Sequence, residues 1–347
     1  MVDFDINLKL NGGKYINSGA EGCVFYPELK CIDSKKPILK NAISKVFEGD
    51  YAFKVERNIA KKLHKIDPKN KFIVPYYGSC KTNIEVAKQT DEVNKCDLLN
   101  TYQSTYNQLL YKYAGVDLDK FKESKIPKKV KTIDDILKLF IPLFEGIVTL
   151  QEHKILHCDI KPGNILYDET TNRFYLTDFG LSIKNNQLKK ETDMLEFTYL
   201  YYPPEFKVLA LAREIEYNQT ENTLYNNILK NYNSIGSDFL EFLKIKYGID
   251  IPSEITEYSK KSINDGLYFT KLTKKLAYNK IDIYSLGMTI ASLLYIMSSN
   301  SKLPIKNNTL FKEFIQQVLK LIIKQDPSHR IDCKEATLRM KNLFKIN

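Results

Sequence analysis

The polar stretch HCDIKPGN, residues 157–164, brings together side chains that could transfer a phosphoryl group. Such a transfer needs a carboxylate near the acceptor hydroxyl, a positive charge near the moving phosphate and a metal ligand, because positioning and charge neutralisation supply most of the catalysis. Asp159 could take the acceptor proton, Lys161 could neutralise the phosphate, and the amide oxygen of Asn164 could bind Mg2+. A polar turn after a helix would have the same composition, so this stretch alone leaves both interpretations open.

A second stretch, LTDFGLS, offers the acidic metal ligand that the first one lacks. Asp178 stands at the end of an apolar run, 14 positions after Asn164 (178 minus 164), and is followed by Phe179 and Gly180. An Asp-Phe-Gly triplet alone carries little information. In this order, on either side of a hairpin predicted from NILYD and RFYLTD, the two stretches closely resemble the catalytic loop and metal-binding triplet of the eukaryotic-type protein kinase superfamily.

The resemblance implies a fold, a reaction and its cofactors. The expected fold is α+β and bilobal, with a small antiparallel-sheet lobe carrying one helix and a larger, mainly helical lobe. ATP would donate the phosphoryl group in the presence of Mg2+, and protein hydroxyls would accept it. In this scheme Asp159 is the catalytic base, Lys161 contacts the phosphate, and Asn164 and Asp178 hold the metal.

The stretch NSGAEGCV, residues 17–24, resembles the glycine-rich loop whose backbone amides cover the phosphates in this family. Gly19 and Gly22 are in place and Val24 follows them, whereas Asn17 stands where the first glycine is usual. The spacing G-x-x-G occurs in many turns, so the loop is a weak signal by itself.

Two further landmarks of the family lie in the N-terminal third of the chain. ISKVF supplies Lys45 as the lysine that would hold the nucleotide phosphates, with Glu56 as its ion-pair partner 11 positions later (56 minus 45), fewer than the family usually has. LLYKYAGVDL resembles the hinge, and Tyr111 would stand at the gate of the deeper pocket. The backbone groups that would read the adenine belong to Lys112, Tyr113 and Ala114.

The stretch TYLYYPPE, residues 198–205, resembles the end of an activation segment. Thr198 lies seven positions before Glu205 (205 minus 198), where hydroxyl-specific kinases have a threonine that contacts the catalytic aspartate. Together with Lys161, which serine/threonine kinases carry and tyrosine kinases usually lack, it favours serine or threonine as the acceptor. Asp282 and Arg330 resemble the residues that anchor the catalytic loop and pair with Glu205.

Cys158 stands where many kinases have an arginine that reads a phosphate on the activation segment. A thiol cannot make the bidentate contact of a guanidinium group. We therefore predict activity that does not depend on phosphorylation of this segment. A small apolar side chain packed in a core is an equally good account of Cys158, and both can hold together.

The elements that must position these residues divide the chain in two. Residues 1–111 are predicted to form the nucleotide-binding lobe, with short strands followed by a helix before Asp67 and Pro68. Phe53, Glu56, Ile59, Ala60 and Leu63 recur at helical spacing, which predicts that they share one mainly apolar face of that helix.

Residues 112–347 are predicted to form the catalytic and substrate lobe. Thr132 and Asp135 form a capping-box pattern at the start of a long helix that leads to the catalytic stretch. Residues 206–277 fill what is a short connection in the family, and we interpret them as a mostly helical insertion.

Composition argues against several other classes of protein. The chain has 52 Lys and Arg against 42 Asp and Glu, a net charge of +10. Lysine predominates, and the asparagine and isoleucine content indicates an AT-rich coding genome, which accounts for the lysines. No specific nucleic acid is therefore expected as a partner. The most apolar stretch, residues 283–297, is too short for a membrane span and is predicted to be a buried helix, so no membrane insertion is expected.

The N-terminus lacks the basic and apolar regions of a secretory signal, which predicts a cytoplasmic protein. The six cysteines show no metal-ligand spacing, and we expect them to be reduced thiols. The residue usage and the phrases SGAEGCVFYP and YYPPE are similar to serine/threonine kinases of large cytoplasmic DNA viruses, which implies host cytoplasm or the virion as the location.

Two alternatives to an active protein kinase stay open. One is a kinase fold without turnover that acts as a binding scaffold, suggested by Asn17 and by the short spacing of Lys45 and Glu56. The other is a small-molecule phosphotransferase of the aminoglycoside or choline kinase type, which shares a bilobal fold and an H-x-D loop. That class normally lacks the Phe-Gly after Asp178 and the Pro-Pro-Glu segment, so it ranks last.

Overall fold

The computed structural model forms two compact units, Met1–Gly115 and Val116–Asn347. The predicted boundary lies after residue 111. Within these units the structure describes residues 13–19, 22–32, 41–83, 92–99, 104–123, 129–184, 199–207, 236–264, 277–300, 304–305 and 307–346.

The first unit is built on a five-stranded antiparallel sheet. Its strands are ordered β1-β2-β3-β5-β4 in the sheet. The elements in chain order are β1 (Lys14–Ser18), β2 (Gly22–Tyr26), β3 (Ala42–Phe47), α1 (Asp50–Ile66), β4 (Tyr76–Asn83) and β5 (Thr105–Lys112). This confirms, for the described part of the unit, the predicted antiparallel sheet and the helix that follows its third strand.

Helix α1 packs on the sheet through the face that its sequence predicts. Phe53, Glu56, Ala60 and Leu63 recur at intervals of three and four residues, and all four are buried. Phe53 meets Phe47 of β3 edge to face, with ring centroids 5.8 Å apart. Glu56 is the charged residue of this set, so its carboxylate needs a partner inside the unit.

Two disulfides cross-link the first unit, which corrects the prediction of six reduced thiols. Cys23 of β2 is bonded to Cys96, and Cys31 is bonded to Cys80 of β4. The partners lie 73 and 49 residues apart, so sequence spacing alone gave no sign of either pair. Cys158 and Cys333 are buried outside any disulfide.

The second unit is mainly helical, with short strands near its start. It contains β6 (Val116–Asp117), α2 (Ile133–Glu152), β7 (Ile155–Leu156), β8 (Ile165–Asp168), β9 (Arg173–Leu176), β10 (Ile183–Lys184), α3 (Ser237–Tyr247), α4 (Ile251–Asn264), α5 (Ile281–Asn300), α6 (Asn308–Phe314), α7 (Lys320–Ile322) and α8 (Cys333–Phe344). Strands β6, β8 and β9 form one antiparallel sheet, and β7 pairs with β10. The predicted hairpin is confirmed as β8 and β9.

Helix α2 begins with the predicted capping box. The Thr132 hydroxyl accepts from the amide of Asp135, and the Asp135 carboxylate accepts from the amide of Thr132. Pro142 lies inside the helix. Because α2 ends at Glu152, the chain reaches β7 and the catalytic stretch after a short turn.

The apolar stretch predicted to be a buried helix is helix α5. The segment Tyr278–Ser298 is long and apolar enough to cross a membrane, but 83% of its apolar window is buried within the protein. Gly287 allows close packing here, since a Cβ would come within 2.7 Å of side-chain atoms of Ile322 and Ile323. Helix α5 is therefore the central core helix of this unit.

The described part of the predicted insertion consists of residues 206–207, 236–264 and 277, and residues 236–264 contain α3 and α4. Both pack within the second unit: Phe239 and Phe242 of α3 contact Tyr295 of α5, and Glu254 of α4 pairs with Lys324 at 2.6 Å. Residues 208–235 and 265–276 of the predicted insertion lie outside the described residues.

We expect the disulfides to contribute substantially to stability. Cross-links that close loops of this length stabilise a fold by about 4 kcal/mol each in the chain-entropy model. Adding a reductant should therefore lower the melting temperature measured by circular dichroism. In protein denatured without reductant, iodoacetamide should label only Cys158 and Cys333.

The Cys158→Ala variant is the control for this prediction. It retains both disulfides, so its melting temperature should depend on reductant as the wild type's does. Alkylation of all six cysteines without reductant would contradict the pairing.

Candidate active site

In the stretch HCDIKPGN, the side chains of Lys161 and Asn164 both contact the carboxylate of Asp159. The stretch runs from β7 to β8 through a short 3-10 helix, Pro162–Asn164. The side chain of Asp159 is 9% exposed. Its Oδ2 accepts from the Asn164 amide at 2.8 Å and lies 2.9 Å from the Lys161 ammonium. The Asn164 amide also donates to the Asp159 backbone carbonyl at 2.8 Å. These contacts hold the Asp159 carboxylate in one position. Such an arrangement favours a catalytic site over a polar turn without a function.

His157 ties the catalytic stretch to the segment that carries Asp178. Its Nδ1 accepts from the backbone amide of Asp159 at 3.3 Å, so Nε2 carries the proton and donates to the Thr177 carbonyl at 3.1 Å. Its ring also packs on Phe179, with centroids 4.3 Å apart. No role was predicted for His157.

The backbone beneath Asp159 is held by a buried carboxylate from α5. The two oxygens of Asp282 accept from the amides of His157 at 2.8 Å and Cys158 at 3.0 Å. Burial raises the pKa of the Asp282 carboxyl, while His157 and the two amides act in the opposite direction. Cys158 has φ 64°, a left-handed conformation that is costly for a residue with a side chain. Asp282 thus makes the contacts with the catalytic stretch that its predicted anchoring role requires.

The predicted pairing of Arg330 with Glu205 is present as a buried ion pair. Arg330 donates through Nη1 to Oε1 and through Nη2 to Oε2 of Glu205, both at 2.8 Å. The guanidinium is fully buried, and it also donates to the carbonyls of Lys324, Lys280 and Gln325. Its donors therefore have several partners, which a desolvated charge requires. Thr198, the predicted contact of Asp159, lies outside the described residues.

Among the described residues, Asp159 also contacts one that had no predicted role. The Tyr199 hydroxyl donates to Oδ1 of Asp159 at 3.3 Å, and the Lys161 ammonium lies 5.5 Å from the centre of the Tyr199 ring. The sequence signal was the run TYLYY, in which tyrosines stand immediately before the Pro-Pro-Glu segment.

In the first unit, the predicted lysine and glutamate form an ion pair. Lys45 Nζ lies 2.7 Å from Oε2 of Glu56, and the two side chains are 15% and 5% exposed. The Tyr111 hydroxyl donates to the other carboxylate oxygen of Glu56 at 3.2 Å. Helix α1 starts at Asp50, directly after β3, so 11 positions are enough to bring Glu56 to Lys45.

Gly19 and Gly22 of the predicted glycine-rich loop are linked by a hydrogen bond, and the strands on either side, β1 and β2, are paired. The Gly19 amide donates to the Gly22 carbonyl at 2.9 Å, and Val24 is paired in register with Asn17 on one side and Lys45 on the other. A Cβ on Gly22 would lie 2.3 Å from the Val46 carbonyl oxygen, so this glycine is required by the close approach of β3. Gly19 has room for a Cβ.

Two of the three predicted hinge residues use their amides inside the first unit. The Lys112 amide donates to the Pro75 carbonyl at 2.9 Å, and the Tyr113 amide donates to the Asn41 carbonyl at 2.8 Å. Of the three amides, this leaves that of Ala114 as the candidate donor to an adenine. The Tyr113 ring packs on Tyr26, with centroids 4.3 Å apart.

Comparison with known proteins identifies the family. Residues 18–223, more than half of the chain, match the family model described as "Protein kinase domain". The chain belongs to the protein kinase family. It is also similar to a crystal structure of a kinase domain, with 19% sequence identity, coverage of 95% of this chain and 94% of that one, and a TM-score of 0.49. The sheet unit and the helical unit are thus the small and large lobes of a kinase fold.

Kinases of this family generally use ATP and Mg2+, and the residues of the large lobe fit the metal. The Thr177 amide donates to the Asn164 carbonyl at 3.1 Å, which extends the β8–β9 pairing, so Asp178 directly follows the residue that is bonded to Asn164. The Asn164 side-chain nitrogen is engaged by Asp159, so the oxygen of this amide is the atom left to face a cation. One carboxylate and one amide oxygen, completed by phosphate and water, are a ligand set that Mg2+ accepts.

Replacing Asp282 by alanine should weaken both the kinase fold and its catalytic loop. The buried amides of His157 and Cys158 would lose their acceptor, at about 1–3 kcal/mol each. The free energy of unfolding, measured with urea, should fall by at least about 2 kcal/mol, and kcat should fall because the backbone under Asp159 is released. The Asp282→Asn variant retains one acceptor oxygen and should give an intermediate result.

Asp168→Ala is the matched control. Asp168 is also buried and accepts from the amides of Thr170 at 2.8 Å and Thr171 at 3.4 Å, in the turn between β8 and β9. It should lose stability without a comparable loss of kcat. A folded Asp282→Ala variant with wild-type kcat would refute the anchoring role.

Proposed function

We propose that the protein is a serine/threonine protein kinase that transfers the γ-phosphoryl group of ATP to hydroxyls of protein substrates. The observation that carries this proposal is the arrangement at Asp159, whose carboxylate is fixed by Asn164 and Lys161 through Oδ2 and faces a hydroxyl through Oδ1. A general base must lie within hydrogen-bonding reach of the proton that it removes, and here a hydroxyl already lies at that distance.

The residues of the large lobe account for the steps of this transfer. Asp159 accepts the proton of the acceptor hydroxyl as the oxygen bonds to the γ-phosphorus and ADP leaves. Lys161, 35% exposed, can neutralise charge on the phosphoryl group while it remains near Asp159. Bound Mg2+ supplies charge neutralisation of the phosphates, and Asn164 and Asp178 would hold it.

The residues of the small lobe have matching roles in the proposal. Lys45, oriented by Glu56, would hold the nucleotide phosphates. Glu56 is itself held by Tyr111, so the ammonium stays in one position without the substrate. The amides around Gly19 and Gly22 would cover the phosphates, and Ala114 would read the adenine.

Specificity for serine and threonine is supported by Lys161, two positions after the catalytic aspartate, as the kinase resemblance implies. The relationship to kinases of large cytoplasmic DNA viruses is likewise a proposal. This relationship implies two locations, the host cytoplasm and the virion. Disulfides persist on virions and are rare in the reducing cytosol. The virion is therefore the better fit to the Cys23–Cys96 and Cys31–Cys80 disulfides.

Radiolabelled ATP and a generic basic protein test the proposed reaction. The wild type should label the acceptor, and Asp178→Ala should lower the rate by about 100-fold or more, the scale at which preorganised charged groups contribute. Phosphoamino-acid analysis should find serine and threonine. Glu152→Ala, which removes an ion pair with Lys334 that is exposed on both sides, is the control and should match the wild type.

Two outcomes would refute parts of this proposal. Equal labelling by wild type and Asp178→Ala, or none by either, would end the claim of an active enzyme and favour a binding scaffold. Labelled tyrosine as the main product would end the serine/threonine assignment alone.

The surroundings of Cys158 support activity without a phosphate on the activation segment. Cys158 is buried in an apolar cluster with Leu156, Ile183, Tyr202, Phe206 and Ile281, against which Tyr199, Tyr258 and Tyr278 pack. The position that carries a phosphate-reading arginine in many kinases is thus part of a hydrophobic core. Tyr258, which packs against this cluster, belongs to α4 of the insertion.

Treatment with a broad-specificity phosphatase should therefore leave the kinase rate unchanged. The apolar cluster, rather than a phosphate, would hold the end of the activation segment. Mass spectrometry before and after treatment provides the control that phosphate was removed. A collapse of the rate after removal would contradict the prediction.

A further inference from the structure

Both oxygens of the Asp159 carboxylate have partners within the large lobe. Oδ2 is shared by Asn164 at 2.8 Å and Lys161 at 2.9 Å, and Oδ1 accepts from the Tyr199 hydroxyl at 3.3 Å. In the proposed reaction, the acceptor hydroxyl must donate its hydrogen bond to this same carboxylate. Since Asn164 and Lys161 occupy Oδ2, the Oδ1 side is where a substrate hydroxyl would approach, and Tyr199 is already there.

The Tyr199 side chain is held in this position by its ring. The ring packs edge to face on Tyr202 and on Tyr201, with centroids 4.7 and 5.5 Å away. The Lys161 ammonium lies 5.5 Å from the ring centre, within the range of a cation–π contact. The hydroxyl is therefore placed by packing on three sides and does not reach Asp159 by a chance rotation.

Tyr199 also stays a donor over the working pH range of an enzyme. Burial and the charge of Asp159 both raise the pKa of the Tyr199 phenol. A phenol that remains protonated beside an aspartate can donate a hydrogen bond to it but cannot replace it as a base. The contact thus mimics the interaction of an acceptor hydroxyl with Asp159.

We propose that Tyr199 is an internal competitor for the acceptor site, so that a substrate hydroxyl must displace the Tyr199 hydroxyl from Oδ1 of Asp159 before transfer. This inference rests on the proposed kinase function and adds an acceptor-selecting residue to it. Because the phenol oxygen is fixed to its ring, displacement costs one hydrogen bond and a small shift of the ring against Tyr201 and Tyr202. The competing contact raises the KM for the protein acceptor and leaves ATP binding untouched.

The Tyr199→Phe variant tests the competition because it removes the hydroxyl and keeps the ring. The kcat/KM for a serine peptide should rise between about two- and tenfold, the range expected for one hydrogen bond, through a lower peptide KM. The KM for ATP should not change. If Tyr199 instead served to orient Asp159, kcat would fall while the peptide KM stayed the same, and that result would overturn the proposal.

Tyr201→Phe is the matched control. Tyr201 belongs to the same aromatic group, but its hydroxyl pairs with Ser292 at 3.3 Å and not with Asp159. Its peptide KM should equal that of the wild type. An equal fall of the peptide KM in both variants would mean that loosening of the aromatic group, and not release of Oδ1, is responsible, and would also overturn the proposal.

Equilibrium binding separates failure of this inference from failure of the proposed function. Fluorescence anisotropy with a labelled serine peptide and a non-hydrolysable ATP analogue should show tighter binding to Tyr199→Phe than to the wild type. A wild type that transfers no phosphate refutes the kinase proposal, while the binding comparison still tests the competition. A wild type that turns over, with unchanged peptide affinity in Tyr199→Phe, refutes the competition alone.

Discussion

The large lobe depends on one buried carboxylate that is satisfied by backbone amides. Asp282, in the first turn of α5, accepts from consecutive amides of the catalytic stretch and is fully buried. A buried charge without such donors is costly, and a left-handed Cys158 without a fixed amide would relax. The carboxylate and the strained backbone therefore stabilise each other, and the position of Asp159 follows from both.

From this anchor the site is built by short contacts that link neighbouring segments. His157 connects the stretch to Thr177, the Thr177 amide connects back to Asn164, and Asn164 holds Asp159. Asp159, the proposed base, and Asn164, a proposed metal ligand, thus belong to one hydrogen-bonded network that includes Thr177, the residue before Asp178. Such networks fix geometry before substrate arrives, which is how electrostatic preorganisation contributes to catalysis.

The departures from the usual family pattern can be explained by local packing. Cys158 fits an apolar cluster to which the inserted helix α4 contributes Tyr258. Asn17, at the place of a missing glycine, accepts from the amide of Ser18 at 2.9 Å and so stabilises the strand end. The short interval between Lys45 and Glu56 suffices because α1 follows β3 almost directly. None of these departures removes a residue from the proposed chemistry.

The sequence by itself determined the family resemblance, the strand and helix pattern, and the residues of the catalytic stretch, because these depend on short spacings. The capping box at Thr132 and the buried face of α1 are of this kind. Only the tertiary structure decided the partners of distant residues: Cys23 meets Cys96, and Tyr199 reaches Asp159 from 40 positions away. Such contacts are set by how sheets and helices pack, and no local spacing encodes them.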